Sequence, residues 1–239
     1  TLAALANSEG FFGVDADGNP IIGTLPQLSG KITVNGYAYE DSVNALREAF
    51  PNLTINVSGY YIRFEDPEVL RVLLANGIGD GVGISKEAAA NSFSVGYLPL
   101  YFRGSKAITK FNELKYFTKI VKSVPGYGST FENCINLVEI DMSNYTYFIG
   151  YMELNNTAIK ELNIPLATSL PSLEGCSQLT TLYAPTAKSL AALRSTPALE
   201  EINLPSLTSF AGLYTVNSQA QYCGVKKIIS LGVVNWIGN

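Results

Sequence analysis

The sequence contains no histidine, which removes the commonest general base and metal ligand of proteins. It has only three cysteines, an odd number at wide spacing, and this is not a disulfide framework. Charged residues make up 15% of the chain, and the formal net charge is −4. Basic residues are scattered along the sequence, so they offer no positively charged cluster for the phosphates of a nucleic acid. No apolar run approaches the roughly 20 residues that a membrane-spanning helix needs.

Catalytic patterns are also absent from the sequence. There is no Gly-x-Ser-x-Gly elbow and no phosphate-binding glycine loop opening a helix. Paired carboxylates occur, as in Glu139 with Asp141, but on a solvated sheet they lack the burial that separates the pKa values of an acid and a base. We therefore expect a protein that is not an enzyme and has no cofactor.

What the sequence does contain is a repeat. Apolar anchors at Leu137, Ile159, Leu179 and Leu199 each open the pattern Leu/Ile-x-x-Leu/Ile-x-apolar, at intervals of 22, 20 and 20 residues. A unit of this size cannot bury its apolar side alone, and stacking of such units buries a continuous core. The period predicts a solenoid of short parallel strands, with end units that are less regular.

Further positions recur within each unit and make the repeat more specific. A proline stands six residues after three successive anchors, a serine ten after, and apolar residues eleven and fourteen after. In order, these are Pro165, Pro185 and Pro205; Ser169, Ser189 and Ser209; Leu170, Leu190 and Phe210; and Leu173, Leu193 and Leu213.

This pattern resembles the leucine-rich repeats of the BspA-like type, over about residues 100 to 239. The resemblance implies an α/β leucine-rich-repeat solenoid with an irregular convex side. It also implies a secreted or cell-surface protein of a Bacteroides-type gut bacterium that acts in adhesion or recognition. No ligand follows from it, because such repeats are a scaffold that carries many specificities.

The cysteines fit the repeat. Cys134 and Cys176 each stand three residues before an anchor, a place that Asn156 and Thr196 hold in the units between and after them. Two repeats separate the two cysteines, or roughly 10 Å at the spacing of adjacent strands, which is too far for a disulfide. We expect them to be buried and reduced.

The first part of the chain, residues 1–92, is predicted to be an α+β region that caps the solenoid of residues 93–239. Asp17-Gly18 between two apolar runs is typical of a hairpin turn. Residues 31–59 have the pattern of strand, helix and strand, and residues 66–91 that of helix, loop and helix. In the latter, Asp66 and Ser85 are the expected N-caps.

The loop between those helices has two interpretations. Laid on a calcium-binding EF-hand loop, Asn76, Asp80 and Glu87 fall at the ligand positions 1, 5 and 12. Ile78 and Ile84 occupy two other ligand positions, so such a loop would bind Ca²⁺ only weakly. The alternative is an ordinary interhelical turn.

A candidate binding face follows from strand alternation. The apolar residues three and five after each anchor point into the core, so the residues two and four after it, which alternate with them along the strand, point outward. They form a polar, mildly acidic stripe that is either the partner-binding face of a solenoid or an ordinary solvated surface. The candidate ligand-binding residues are Glu139, Asp141, Glu161, Asn163, Tyr183, Glu201 and Asn203, with Lys110, Asn112 and Thr181 in the same stripe.

A second candidate is a cluster of aromatic residues. Tyr145 and Tyr147 are expected to be exposed, whereas Phe148 and Tyr151 fall at positions that are apolar in other units and are expected in the core. Together these observations predict a secreted or cell-surface module that binds a protein or a glycan through the concave face of its repeats. The alternative is a structural spacer with no ligand of its own.

Overall fold

The structure is a computed structural model that describes residues 9–14, 20–24, 29–126, 128–149, 153–190, 193–210, 223–225, 227–230 and 235–236. The chain is a mixed α/β protein with few helices and with short parallel strands. It divides into two compact units, residues 1–63 and residues 64–239.

The first unit begins with strands β1 (Glu9–Val14) and β2 (Pro20–Thr24), which pair in antiparallel fashion. The two strands agree with the predicted hairpin, whose Asp17-Gly18 turn lies outside the described residues. The predicted order of strand, helix and strand is confirmed by β3 (Gly30–Tyr39), α1 (Glu40–Ala49) and β4 (Leu53–Tyr61). Strands β3 and β4 are parallel, as the intervening helix allows.

The second unit opens with helices α2 (Pro67–Ala75) and α3 (Lys86–Asn91). Both predicted N-caps are confirmed. The carboxylate of Asp66 accepts a hydrogen bond from the backbone N–H of Glu68 at 2.9 Å, and the Ser85 hydroxyl accepts one from Ala88 at 3.0 Å.

Asp66 also connects α2 to the first repeat strand. Its second carboxylate oxygen accepts from the Thr109 N–H at 2.6 Å, the Thr109 hydroxyl at 3.0 Å and the Lys110 N–H at 3.3 Å. These bonds join the helix-loop-helix to the repeats. It therefore lies in the second unit, whereas the sequence grouped it with residues 1–92.

The remaining strands are two or three residues long and follow the predicted period. One strand begins two residues after each anchor, and a second begins ten residues after the later anchors. The first set comprises β5 (Lys110–Phe111), β6 (Glu139–Ile140), β7 (Glu161–Asn163), β8 (Thr181–Tyr183), β10 (Glu201–Asn203) and β12 (Lys227–Ile229), and the second β9 (Ser189–Leu190), β11 (Ser209–Phe210) and β13 (Asn235–Trp236).

Successive repeats are joined by parallel ladders of backbone hydrogen bonds. Strands β5 and β6 pair, β7, β8, β10 and β12 form one sheet, and the Lys160 N–H donates to the Val138 carbonyl between these two groups at 3.3 Å. Strands β9, β11 and β13 form a second parallel sheet. A third series of backbone bonds runs through the turn before each anchor, including Asn133 to Asn155 at 2.8 Å and Asn156 to Glu174 at 2.9 Å.

The core is built from columns of equivalent apolar residues. The anchors Leu137, Ile159, Leu179 and Leu199 have no exposed surface, and neither has Ile108, which holds the anchor place two residues before β5. The residues three and five positions later are buried as well, because they alternate with the outward positions two and four. Burial of these columns across repeat boundaries is the main stabilising contribution in this unit.

The cysteines are buried and free, as predicted. The expectation that Asn156 holds the place between Cys134 and Cys176 is wrong. Asn156 instead takes a left-handed conformation, with φ of 56°, as Asn133 does in the preceding unit. The buried neighbour of Cys176 is Thr157, with 3.5 Å between its hydroxyl and the Cys176 sulfur. The 22-residue interval hides this offset, because the sequence does not show where its two extra residues lie.

Candidate binding face

The outward positions of the first strand set are solvent-accessible, and we call them the polar face. It consists of two columns of residues that lie two and four residues after the anchors, within the strands or, for Asn112 and Asp141, directly after them. The first column is Lys110, Glu139, Glu161, Thr181, Glu201 and Lys227, and the second is Asn112, Asp141, Asn163, Tyr183, Asn203 and Ile229.

Register places the members of each column directly beside one another. Glu161 pairs with Thr181, and Asn163 pairs with Tyr183, across β7 and β8. Tyr183 is in turn opposite Asn203 on β10. The five proposed residues on β7, β8 and β10 therefore lie on one face at the spacing of adjacent strands, and the other two, Glu139 and Asp141, line the same groove as Glu161 and Asn163.

Ion pairs connect many of the charges on the face. Lys110 lies 2.9 Å from Glu139 and 3.3 Å from Glu65. The hydrogen bond from Lys110, helped by one from Asn112, holds the pKa of Glu139 below its usual value. Glu139 is therefore ionised at neutral pH, and it is not arranged as a general acid.

Other carboxylates on the face are paired more loosely. Asp141 lies 3.7 Å from Lys115, and Glu201 lies 3.1 Å from Lys227 on the neighbouring strand. Within the described part of the chain, Glu161 and Lys160 take part in no ion pair. These two residues leave one negative and one positive charge available to a partner.

A groove lies over the part of the face formed by the early repeats. Its volume is about 480 Å³, within the range of about 300–1,000 Å³ typical of ligand sites. Glu139, Asp141, Glu161 and Asn163 contribute to its wall. The remaining lining residues are Asn112, Val138, Ile140, Ser143 and Lys160.

Tyr183 is the aromatic residue of the face. Its side chain is 47% exposed, on one of the two inner strands of a four-stranded sheet whose other outward residues are mostly polar. The alternation of β8 causes this exposure, because Leu182 is buried and its neighbours point the other way.

Some members of the site were not predicted. Lys227 and Ile229 continue the two columns, and they lie two and four residues after Val225, which opens the same pattern in Val225-Lys-Lys-Ile228. Lys160 and Ser143 enter the groove from positions just outside the columns. Glu65 comes from the segment before α2, and no repeat pattern could have placed it beside Lys110.

The proposed calcium ligands have local partners in the structure. The side-chain amide of Asn76 donates to the Val72 carbonyl at 2.8 Å. One carboxylate oxygen of Asp80 accepts from the N–H groups of Val82 and Gly83, both at 3.0 Å, and so closes its own turn. Glu87 is exposed in the first turn of α3. Across the described residues, no three His, Cys, Asp or Glu side chains are grouped to hold a metal ion.

The aromatic cluster is only partly exposed. Tyr147 is 40% exposed, as expected, but the expectation for Tyr145 is wrong because this ring is buried. Tyr145 falls eight residues after its anchor, where later repeats place the buried residues Ala167 and Ala187. Its ring stacks on Phe148, with centroids 5.4 Å apart. Tyr151, Tyr127 and Leu213 lie outside the described residues.

Comparisons of the chain with protein-family models, with curated proteins and with solved structures found no match. Among the helices of the described residues, none has the length and apolar character needed to cross a membrane.

Proposed function

We propose that residues 93–239 form a leucine-rich-repeat solenoid of the BspA-like type, and that the protein is a secreted or cell-surface module that binds a protein or a glycan. The repeat pattern and the parallel ladders that join successive units support the solenoid. The sequence resemblance supports the location and a role in adhesion. The fold, the location and the role in adhesion are all interpretations of the repeats, and none of them depends on a catalytic group.

One observation carries the proposed binding role. The polar face aligns carboxylates, amides and an exposed tyrosine in two columns, next to a groove of about 480 Å³. Open sheet surfaces of repeat proteins are the surfaces that bind partners. The combination of an aromatic ring with orienting polar groups is typical of recognition sites.

The spacer alternative also has support in the geometry. Glu139, Asp141 and Glu201 are ion-paired within the chain, as on an ordinary solvated surface. A stalk that presents another domain would need a polar exterior of this kind and no ligand.

Binding by the purified chain to arrays of extracellular-matrix proteins and oligosaccharides separates the two. We expect saturable binding that is lost on combining Glu161→Ala with Tyr183→Ala, with the thermal midpoint within a few degrees of the parent. The matched control combines Glu48→Ala with Tyr147→Ala, which removes an exposed acid and an exposed tyrosine elsewhere. Equal binding by the parent and the first variant would exclude the polar face, and a blank with every array would favour the spacer.

A further inference from the structure

We propose that the polar face binds a neutral oligosaccharide, with one pyranose ring stacked on Tyr183 between Asn163 and Asn203. This inference rests on the proposed function, because it names the ligand class for the same face.

The first support is the surroundings of the exposed ring. Asn163 precedes Tyr183 in the second column and Asn203 follows it, both in direct register. An asparagine amide both donates and accepts hydrogen bonds, which matches the hydroxyl groups of a sugar. The carbon-bound hydrogens of a pyranose form an apolar surface that packs on an aromatic ring. The strand spacing of about 4.8 Å approximates the length of one sugar unit, so the sugars before and after the one on Tyr183 can reach Asn163 and Asn203.

The second support is the charge balance of the face. Glu65, Glu139, Asp141 and Glu201 are each within ion-pair distance of a lysine, which leaves Glu161 as the carboxylate without an ion pair on the described polar face. A polyanion or a strongly basic peptide gains little where charges already compensate one another. An uncharged ligand with many hydroxyl groups does not need to displace these ion pairs.

The third support is that the strand carrying Tyr183 has no open edge to which a peptide could add. Extended peptides add to an open strand edge through main-chain hydrogen bonds, and helices insert apolar residues into an apolar groove. Strands β8 and β10 each have a partner on both sides, so their main-chain groups are not offered to a ligand. The groove that adjoins Asn163 is lined mainly by polar and charged residues.

Calorimetric titration of the full chain with neutral hexasaccharides of glucose, mannose and xylose tests the proposal. We expect saturable binding to at least one of them, weakened about tenfold or more by Tyr183→Ala, because the stacking surface is removed. Tyr183→Phe keeps the ring and retains the affinity within a factor of about three. Tyr147→Ala, which removes an exposed ring outside the two columns, leaves the affinity unchanged. The affinity also stays constant between about 50 and about 500 mM salt, because no charge pair forms.

The same titrations with acidic hexasaccharides, and the extracellular-matrix array, provide the other outcomes. If only acidic hexasaccharides or matrix proteins bind, and this binding depends on Tyr183, then the inference of a neutral oligosaccharide is wrong. The proposed function would still hold. Neutral-glycan binding that is unaffected by Tyr183→Ala would overturn the site. No binding to any probe would overturn both the inference and the proposed function.

Discussion

At the scale of single residues, Glu153 combines a carboxyl group with complete burial. Burial raises its pKa to about 8, although polar groups of Thr130 and Ser129 oppose the shift, and the nearby carboxylate of Glu132 adds to it. A raised pKa can mark a general acid, but a group without exposed surface does not reach a substrate. The consequence belongs to stability.

The folded protein retains the Glu153 proton over a pH range in which the unfolded chain releases it. The free energy of unfolding should therefore fall as pH rises from the ordinary value of 4.5 to about 8, by at most about 1.4 kcal/mol per pH unit. Glu153→Gln removes this dependence. We expect the variant to gain a few kcal/mol relative to the parent between pH 5 and pH 8, measured by urea unfolding.

The matched control for that experiment is Glu161→Gln, because Glu161 is an exposed carboxyl in the same unit. Comparing the two variants separates the loss of a buried carboxyl from the loss of a carboxyl in general. Parallel profiles for the parent and Glu153→Gln would mean that Glu153 is ionised in the fold. The comparison concerns the slope with pH, so a constant cost of placing an amide in the core does not affect it.

At the scale of elements, Asp66 joins α2 to the first repeat strand through bonds at both carboxylate oxygens. Asp66→Ala should destabilise the protein by about 2–4 kcal/mol, the loss of a cap plus the desolvation of unpaired N–H groups. Ser85→Ala removes only a cap and should cost about 1 kcal/mol. Chemical denaturation measures both, and equal losses would show that the bonds to Thr109 and Lys110 contribute nothing.

The loop between α2 and α3 also allows a prediction. Its Asp80 carboxylate already accepts two backbone hydrogen bonds, and the Asn76 amide nitrogen donates to the preceding helical turn. We therefore expect millimolar Ca²⁺ to leave the thermal midpoint unchanged, because a ligand that bound only the native state would raise it. A rise that Asp80→Asn and Glu87→Gln abolish would instead establish the weak EF-hand-like site.

The elements differ in how far the sequence could predict them. Anchors, outward columns and both N-caps follow from period, alternation and capping chemistry, which are local properties. The position of Thr157 beside Cys176 and the burial of Tyr145 depend on where a longer repeat absorbs its extra residues. The ion pair of Glu65 with Lys110 joins segments far apart in sequence, and no local pattern contains that information. The candidate face was therefore predictable as a set of columns, but its ion pairs and its groove were not.

At the scale of the whole molecule, the proposed solenoid predicts which deletions the second unit tolerates. If each repeat packs only against its neighbours, removing one full period should let the flanking repeats join. Deleting residues 179–198 brings Leu199 into the place of Leu179 and keeps every later residue in its column. Deleting residues 179–188 removes half a period and turns the apolar columns that follow out of register.

We expect the full-period deletion to remain folded, with a cooperative urea transition and a reduced m-value, because less surface is exposed on unfolding. The half-period deletion should lose that transition, since its later anchors cannot enter the shared core. Circular dichroism and urea unfolding of the two variants and the parent measure this. Two deletions that unfold alike would mean that the unit folds around contacts beyond nearest neighbours, and the solenoid interpretation would then be wrong.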